Sequence, residues 1–454
     1  MEAPLALTPS MPPFEPIPLP ELARAARERR TRLAGCFGEG VAVLSTAPER
    51  ARNRDTHYPY RFDSYFYYLT AFPEPDAVVV IVGGASPRHI LFCRARDPER
   101  ELWDGLRHGP EAACERFGFD EAHPVSELDA RMPGLIADQP ALYCAIGEDA
   151  AWSARVSGWL NEVRAMARTG VAAPATLGEV RVLVDRMRVV KDAQELSIMR
   201  RAAAISCDAH RRAMRAARPG RFEFEVEAEL LHAFRTAGAQ APAYTSIVAG
   251  GANACVLHYV ENASKLATGD LLLIDAGCEL DGYASDITRT FPVDGRFTGA
   301  QRALYECVLE AQRLAIDAVR PGASWQAPHD AAVSALCDGF VDLGLCEGPV
   351  ERVLESGDYK RFYMHRTGHW LGLDVHDAGD YKRDGQWVLL EPGQVTTVEP
   401  GCYVRPGDKI PEAFWNIGIR IEDDVVVTAT GNEVITADAP KRIDDIEAWM
   451  RERP

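Results

Sequence analysis

Asp275 and Asp286 lie in the stretch LLLIDAGCELDGYASDITRTF, two acids set among apolar neighbours. A carboxylate in such surroundings stays charged only beside a compensating cation. Asp281-Gly282 reads as a two-residue turn, which predicts a hairpin with strands of about residues 271 to 280 and 283 to 291. That turn pairs Leu280 with Tyr283, puts Gly277 opposite Asp286, and makes Asp275 and Asp286 diagonal neighbours on one face. Like charges that close repel, and burying both is unfavourable unless one is protonated or a cation sits between them. A salt bridge to Arg289, or hydrogen bonds to nearby backbone, is the alternative that the hairpin alone leaves open.

More residues able to do chemistry follow in the C-terminal half. HRTGHWLGLDVHD supplies His365, His369 and His376, TTVEPG supplies Glu399, and GIRIEDD supplies Arg420 and Glu422. In the last segment Ile419 and Ile421 project to one side of a strand while Arg420 and Glu422 project to the other, which is compatible with a simple ion pair. His365 and His369 have the spacing of one helical face, but the glutamate of an HExxH zinc motif is missing and Gly368 and Gly372 weaken a helix. Spacing does not say which histidine would touch a metal. Cys278 and Cys402 each stand three positions past a carboxylate, so strand alternation turns them to the opposite face, as packing residues. Asp275, Asp286, Glu399 and Glu422 with one imidazole make too many carboxylates for one tetrahedral zinc. Two divalent ions fit better, bridged by carboxylates about 3.5 Å apart with a shared water lowered toward hydroxide. Oxygen-rich donors favour Mn2+, with Co2+, Fe2+ or Zn2+ as substitutes.

The elements that must position these groups are legible in outline. In the first half GVAVLS, SYFYYLTAF, DAVVVIVGG, HILFCRARD and PALYCAIG are short apolar or aromatic runs separated by turn residues and helical stretches, the pattern of a small α/β domain. His57, His89, His108 and His123 are isolated there, with no cluster capable of chemistry. Composition shifts after Thr169, which places a boundary near residue 178 and predicts two domains, 1–178 and 179–454. Asp192 and Glu195 form the pattern of a capping box, opening a helix with Leu196, Met199, Ala202 and Ala203 at helical spacing. A second helix follows Arg221 with Phe224, Ala228, Leu231 and Phe234 expected to face inward, and Thr298 with Gln301 caps a third.

Composition excludes several partners. The chain has 454 residues and a formal charge of −17, with no Lys or Arg run long enough to track phosphates, so neither nucleic acid nor an anionic membrane is an expected partner. No segment approaches the apolar length of a membrane span. The first thirty residues hold acids and prolines before ELARAARERR and lack the pattern of a secretory signal. Eleven cysteines without a CxxC pair suit reduced thiols, and a cytoplasmic location is expected.

With these residues in hand, DAGCELDGYASDITRTF, HRTGHWLGLDVHD, VEPG and GIRIEDD resemble the signature segments of Xaa-Pro aminopeptidase (aminopeptidase P), within the methionine aminopeptidase/prolidase/creatinase superfamily. The resemblance extends to ARPGRFEFE, SIVAGGANACVLHYVEN and FDSYFYYLTAFPEPDAV, covering about residues 20 to 445. It implies an α/β N-terminal domain of creatinase type, ribonuclease-H-like, followed by an α+β pita-bread catalytic domain. It implies Asp275, Asp286, His369, Glu399 and Glu422 as metal ligands, with His258, His365, His376 and Arg420 around them. Departures are Cys402, where the family usually has a bulky aliphatic residue, and the loop GDYKRDGQW. The activity implied is hydrolysis of the Xaa-Pro bond in peptides with proline second, through a hydroxide bridging two metals. Glu399 would shuttle the proton, His258 assist the departing nitrogen, and His376 stabilise the oxyanion. His365 and Arg420 would orient substrate and ligands. Proline's nitrogen carries no hydrogen, so the pocket must accept a ring instead of recognising an N–H. A prolidase restricted to dipeptides, with Arg383, Arg366 or His365 gripping the proline carboxylate, is one alternative. A non-catalytic interaction protein on the same fold is another, disfavoured by retention of all five ligand positions. Similar proteins use the first domain to wall the cleft or build an oligomer, so a homo-oligomer, dimer or tetramer, is expected.

Overall fold

The computed structural model describes residues 17–452 apart from residue 148. The start of the chain, read above for its lack of a leader pattern, lies outside these up to residue 16. Two compact units are present, one ending at Met187 and the other beginning at Arg188. The composition change near residue 178 falls just ahead of the helix Val180–Arg188, in which this division sits.

Four of the five apolar runs in the first unit form strands: Val41–Ser45, Val78–Val82, Arg88–Cys93 and Ala141–Cys144. With Glu121–Pro124 and Thr176–Glu179 they make one six-stranded mixed sheet, in which Val41–Ser45 runs antiparallel to Val78–Val82 and parallel to Ala141–Cys144. Near-continuous Val and Ile runs belong to a sheet covered on both faces. The fifth run behaves differently. SYFYYLT is the helix Ser64–Thr70, because the Asp63 side chain accepts a hydrogen bond from Phe66 N at 2.8 Å and caps its first turn.

In the second unit the two capping boxes form as the sequence predicts, opening the helices Ala193–Ala216 and Gly299–Ala318. The helix Glu223–Thr236 buries a different face from the one expected. Val226, Leu230, Ala233 and Phe234 point inward, while Phe224 is exposed and stacks on Phe222 at 5.1 Å. Glu223 sets this rotation: its buried carboxylate accepts hydrogen bonds from Gly250 N, Ser264 N and the Tyr259 hydroxyl, which fixes the first turn. An acid satisfied by three donors outweighs the position of one aromatic ring.

Two three-stranded antiparallel sheets carry the acids. One contains Ile247–Gly250, Leu271–Asp275 and Thr288–Pro292; the other contains Val395–Val398, Asp423–Val427 and Asn432–Val434. The hairpin turn forms as predicted, with Asp281 and Gly282 both at positive φ (49° and 83°) and Leu280 paired with Tyr283. Register is held down to Asp275 opposite Thr288. A Cβ on Gly277 would stand 1.7 Å from Ser285 O, so only glycine lets the strands kink together beside Asp286. The core behind the second sheet centres on Trp370, Val398, Val425 and Val427, with the Trp325 ring tilted against that of Trp370 at a centroid distance of 4.0 Å.

Candidate metal centre

Each acid sits at a strand end, where backbone pairing stops and the side chain is fixed by what precedes it. Asp275 closes Leu271–Asp275, Asp286 precedes Thr288–Pro292, and Glu399 follows Val395–Val398. Glu422 occupies the step between Ile417–Arg420 and Asp423–Val427. The two sheets are stitched at this step: Glu422 N donates to Thr288 O at 3.1 Å, and the Thr288 hydroxyl donates to Glu422 Oε2 at 2.7 Å. His369 lies outside any helix. Thr397 N donates to His369 O at 3.0 Å, and His369 Nδ1 lies 3.0 Å from Trp370 O, which leaves Nε2 turned to the acids.

All nine residues singled out in the sequence, Asp275, Asp286, His369, Glu399, Glu422, His258, His365, His376 and Arg420, line one cavity of about 980 Å³. Within it Asp286, His369 and Glu422 each offer a ligand atom within 4.8 Å of the others. His369 Nε2 is 3.5 Å from Asp286 Oδ2 and 3.8 Å from Glu399 Oε1. Asp275 is drawn to Arg420, whose Nη2 donates to Oδ2 at 2.5 Å. Arg420 also donates to the Tyr403 hydroxyl at 3.0 Å, and that hydroxyl lies 2.9 Å from His365 Nε2. His365 Nδ1 stands 3.7 Å from Glu399 Oε2, and the His376 ring packs 4.2 Å from that of His369.

Arg289, the alternative partner of the hairpin acids, pairs elsewhere. It donates to Asp423 Oδ1 at 2.7 Å, because alternation along Thr288–Pro292 turns it away from the face of Asp286 and Thr288. Cys278 and Cys402 are buried and absent from the cavity wall, as alternation requires. Of the cations considered for gripping a proline carboxylate, Arg366 and His365 line the cavity and Arg383 does not.

The electrostatics describe a site short of positive charge. Burial and the neighbouring Asp275 push Asp286 well above the usual carboxylate range. Burial with Asp286 does the same to Glu422, and burial with Glu422 raises Glu399 to about 8. Burial, then Arg420, depresses His365 to about 4. Tyr244, which the sequence reading missed, makes the shortage concrete. Its hydroxyl lies 2.5 Å from both Asp275 Oδ1 and Asp286 Oδ1, yet has one proton to donate. One carboxyl must therefore carry a proton, or a cation must replace it. The donor set, four carboxylates with one imidazole, fits divalent cations. Asp424 was also missed; its Oδ2 accepts from Asp286 N at 3.1 Å and pins that backbone. No local pattern marks either residue, since their partners lie 42 and 138 positions away.

Comparison with known proteins gives the class. Residues 197–429 match Metallopeptidase family M24, and residues 26–143 match the family described as Aminopeptidase P, N-terminal domain. The chain is 44% identical to the Xaa-Pro aminopeptidase of Escherichia coli over 90% of its own length and 93% of the relative's. It is 43% identical to that of Haemophilus influenzae, covering 93% and 96%. The structure of Pseudomonas aeruginosa aminopeptidase PepP superposes with a TM-score of 0.93 at 48% identity, covering 96% of this chain and 99% of that one. Proline aminopeptidase P II from Yersinia pestis superposes with a TM-score of 0.92 at 45% identity, covering 94% and 99%. The chain belongs to the M24 metallopeptidases and, within them, to the Xaa-Pro aminopeptidase family. Family membership implies divalent metal, and the α/β N-terminal domain followed by a pita-bread domain is the family's architecture.

Proposed function

We propose that this chain releases the N-terminal residue from peptides whose second residue is proline, with Asp275, Asp286, His369, Glu399 and Glu422 holding two divalent ions, Mn2+ foremost. The observation that carries this reading is the convergence of four acids and a correctly turned imidazole on one cavity with too few protons to satisfy them. Such ions, when bound, supply Lewis acidity and make water a nucleophile near neutral pH. The protein's own groups do the rest. Glu399, within 3.8 Å of both His365 and His369, takes a proton from the attacking water and passes it toward the departing nitrogen. His258 faces the same space and assists that nitrogen, while His376 beside His369 donates to the developing oxyanion. Arg420 holds Asp275, and through Tyr403 it also fixes His365. The aromatic wall of Trp325, Tyr381 and Trp387 suits a proline ring, which offers no N–H to recognise.

The reading includes a cytoplasmic, homo-oligomeric protein. Among the described residues no helix is long and apolar enough to cross a membrane, and the eleven cysteines are unpaired. Stripping the protein with a chelator, restoring Mn2+ and following release of the first residue from Xaa-Pro-Yaa tests the proposal. Two ions per chain and metal-dependent release are expected. Activity confined to Xaa-Pro dipeptides, or no metal-dependent release, would overturn it.

A further inference from the structure

The cavity's acids lie at its floor, yet two exposed cations, Arg366 and Lys382, also line it. Both are built onto one ring. Lys382 Nζ lies 4.1 Å from the centre of Trp387, and Arg366 Cζ lies 5.0 Å from it. A short hairpin enforces this: Lys382 pairs with Trp387 across a turn in which Asp384 and Gly385 both have positive φ (49° and 78°). Arg366 is held further by donating to Gln326 Oε1 at 2.6 Å. The neighbouring Arg383 is occupied by Asp380 at 3.1 Å, but among the described residues no carboxylate lies within ion-pair distance of Arg366 or Lys382. In a chain of net charge −17, two unpaired cations fixed at one rim are a solvated accident only if nothing anionic meets them.

We propose that Arg366 and Lys382 form a clamp for the C-terminal carboxylate of the substrate, so that the preferred substrates are short Xaa-Pro peptides ending in a free carboxylate. The inference rests on the peptidase reading above and adds a substrate class to it. Orientation follows from charge at the rim, where Arg366 and Lys382 repel the free ammonium of a peptide and draw its opposite end. Arg presents a planar fork to a carboxylate, and stacking on Trp387 preorganises it at low entropic penalty.

The test compares Xaa-Pro-Yaa as the free acid and as the C-terminal amide, using the metal-loaded enzyme. Two partly exposed ion pairs give an expected preference of about five- to tenfold in kcat/KM for the acid. That preference shrinks toward unity near 1 M salt. In Arg366→Gln with Lys382→Gln the acid-to-amide ratio falls to below about twofold. Equal turnover of acid and amide by the unaltered enzyme, or a ratio unmoved in the double variant, would overturn the clamp. Failure of the peptidase reading looks different, since neither form is then cleaved. In that case calorimetric binding of Pro-Yaa acid against Pro-Yaa amide decides the clamp independently, with tighter binding of the acid supporting it and equal binding refuting it.

Discussion

Glu422 and Asp423 are adjacent, both fully buried, and held in opposite states. Asp423 sits in a finished knot: Arg289, Thr436, Gln312 and Lys441 donate to its two oxygens at 2.6–2.9 Å. Burial alone would raise it, but Arg289 and Lys441 outweigh burial and hold it below the ordinary range. Glu422, one residue earlier on the other face, receives the Thr288 hydroxyl and is raised by burial and by Asp286. The contrast teaches that burial does not decide what an acid is for. An acid with its cations built in is structural, and an acid among other acids awaits a cation from outside.

The largest effect expected from breaking this contrast is on the unfinished side. Asp286→Asn removes a charge from the tight group with His369 and Glu422 and is expected to lower kcat/KM by about a thousandfold or more. Metal analysis is expected to show fewer than two ions per chain, while the melting temperature of the metal-free protein stays level or rises. A variant that keeps full metal content and activity would remove Asp286 from the site.

On the finished side the expected loss is stability. Asp423→Ala leaves Arg289, with no exposed surface, facing no carboxylate. Breaking a buried pair in this way costs about 3–5 kcal/mol, read as a lower urea midpoint. Arg289 Nη1 also donates to Glu422 O at 2.5 Å, so metal affinity is expected to weaken as well, through backbone displacement. An unchanged urea midpoint would show that the knot is dispensable.

How much of this contrast could be read from the sequence depends on whether a residue's partners are local. The Asp281-Gly282 turn sets the register of its own hairpin, and that register alone places Asp275 and Asp286 on one face. Strand alternation separates Arg289 from that face and Asp423 from Glu422, so the structural pairing of Arg289 was within reach of the same rule. Tyr244 and Asp424 were not, because what makes them matter is an atom brought from another segment. The inward face of the helix Glu223–Thr236 was misread for the same reason: its rotation is set by donors from residues 250, 259 and 264, which its own periodicity does not contain. SYFYYLTAF was ambiguous by composition, and one capping aspartate decided it for helix.

The pH dependence of the two sides has opposite sign. Glu399 moves from an ordinary 4.5 to about 8 in the folded, metal-free protein, so the folded state binds a proton more tightly than the unfolded chain. That stability is present below about pH 4.5 and is lost as pH rises toward about 8. The metal-free protein is therefore expected to melt at lower temperature at pH 8 than at pH 5. Metal loading reverses the trend, since ligands must be deprotonated to bind. Glu422→Gln removes one of the repelling charges and is expected to stabilise the metal-free protein at pH 8 by at least about 1 kcal/mol. Destabilisation by that substitution would mean the cavity's acids are satisfied without metal.

The smallest expected effect isolates one arm of the knot. Lys441→Met removes an ammonium whose side chain is 24% exposed, 2.6 Å from Asp423 Oδ2. Asp423 keeps Arg289 and Thr436 on Oδ1, and Gln312 Nε2 still donates to Oδ2 at 2.9 Å, so neither Asp423 oxygen is orphaned, while buried Gln312 Oε1 loses the ammonium that donates to it at 2.9 Å. Partial exposure screens the charge, and with the Gln312 hydrogen bond lost as well the loss at pH 7 is expected to be about 1–2 kcal/mol. Its pH dependence separates charge from packing. Because Lys441 helps hold Asp423 below its ordinary value, the stability it contributes is present above about pH 4 and is lost as pH falls through the depressed value in the folded protein. Urea titrations of both proteins at pH 7 and near pH 3 should therefore draw closer at the acid end. A difference that persists undiminished there would assign the role of Lys441 to its aliphatic stem and its hydrogen bond to Gln312, with Arg289 as the cation that holds Asp423.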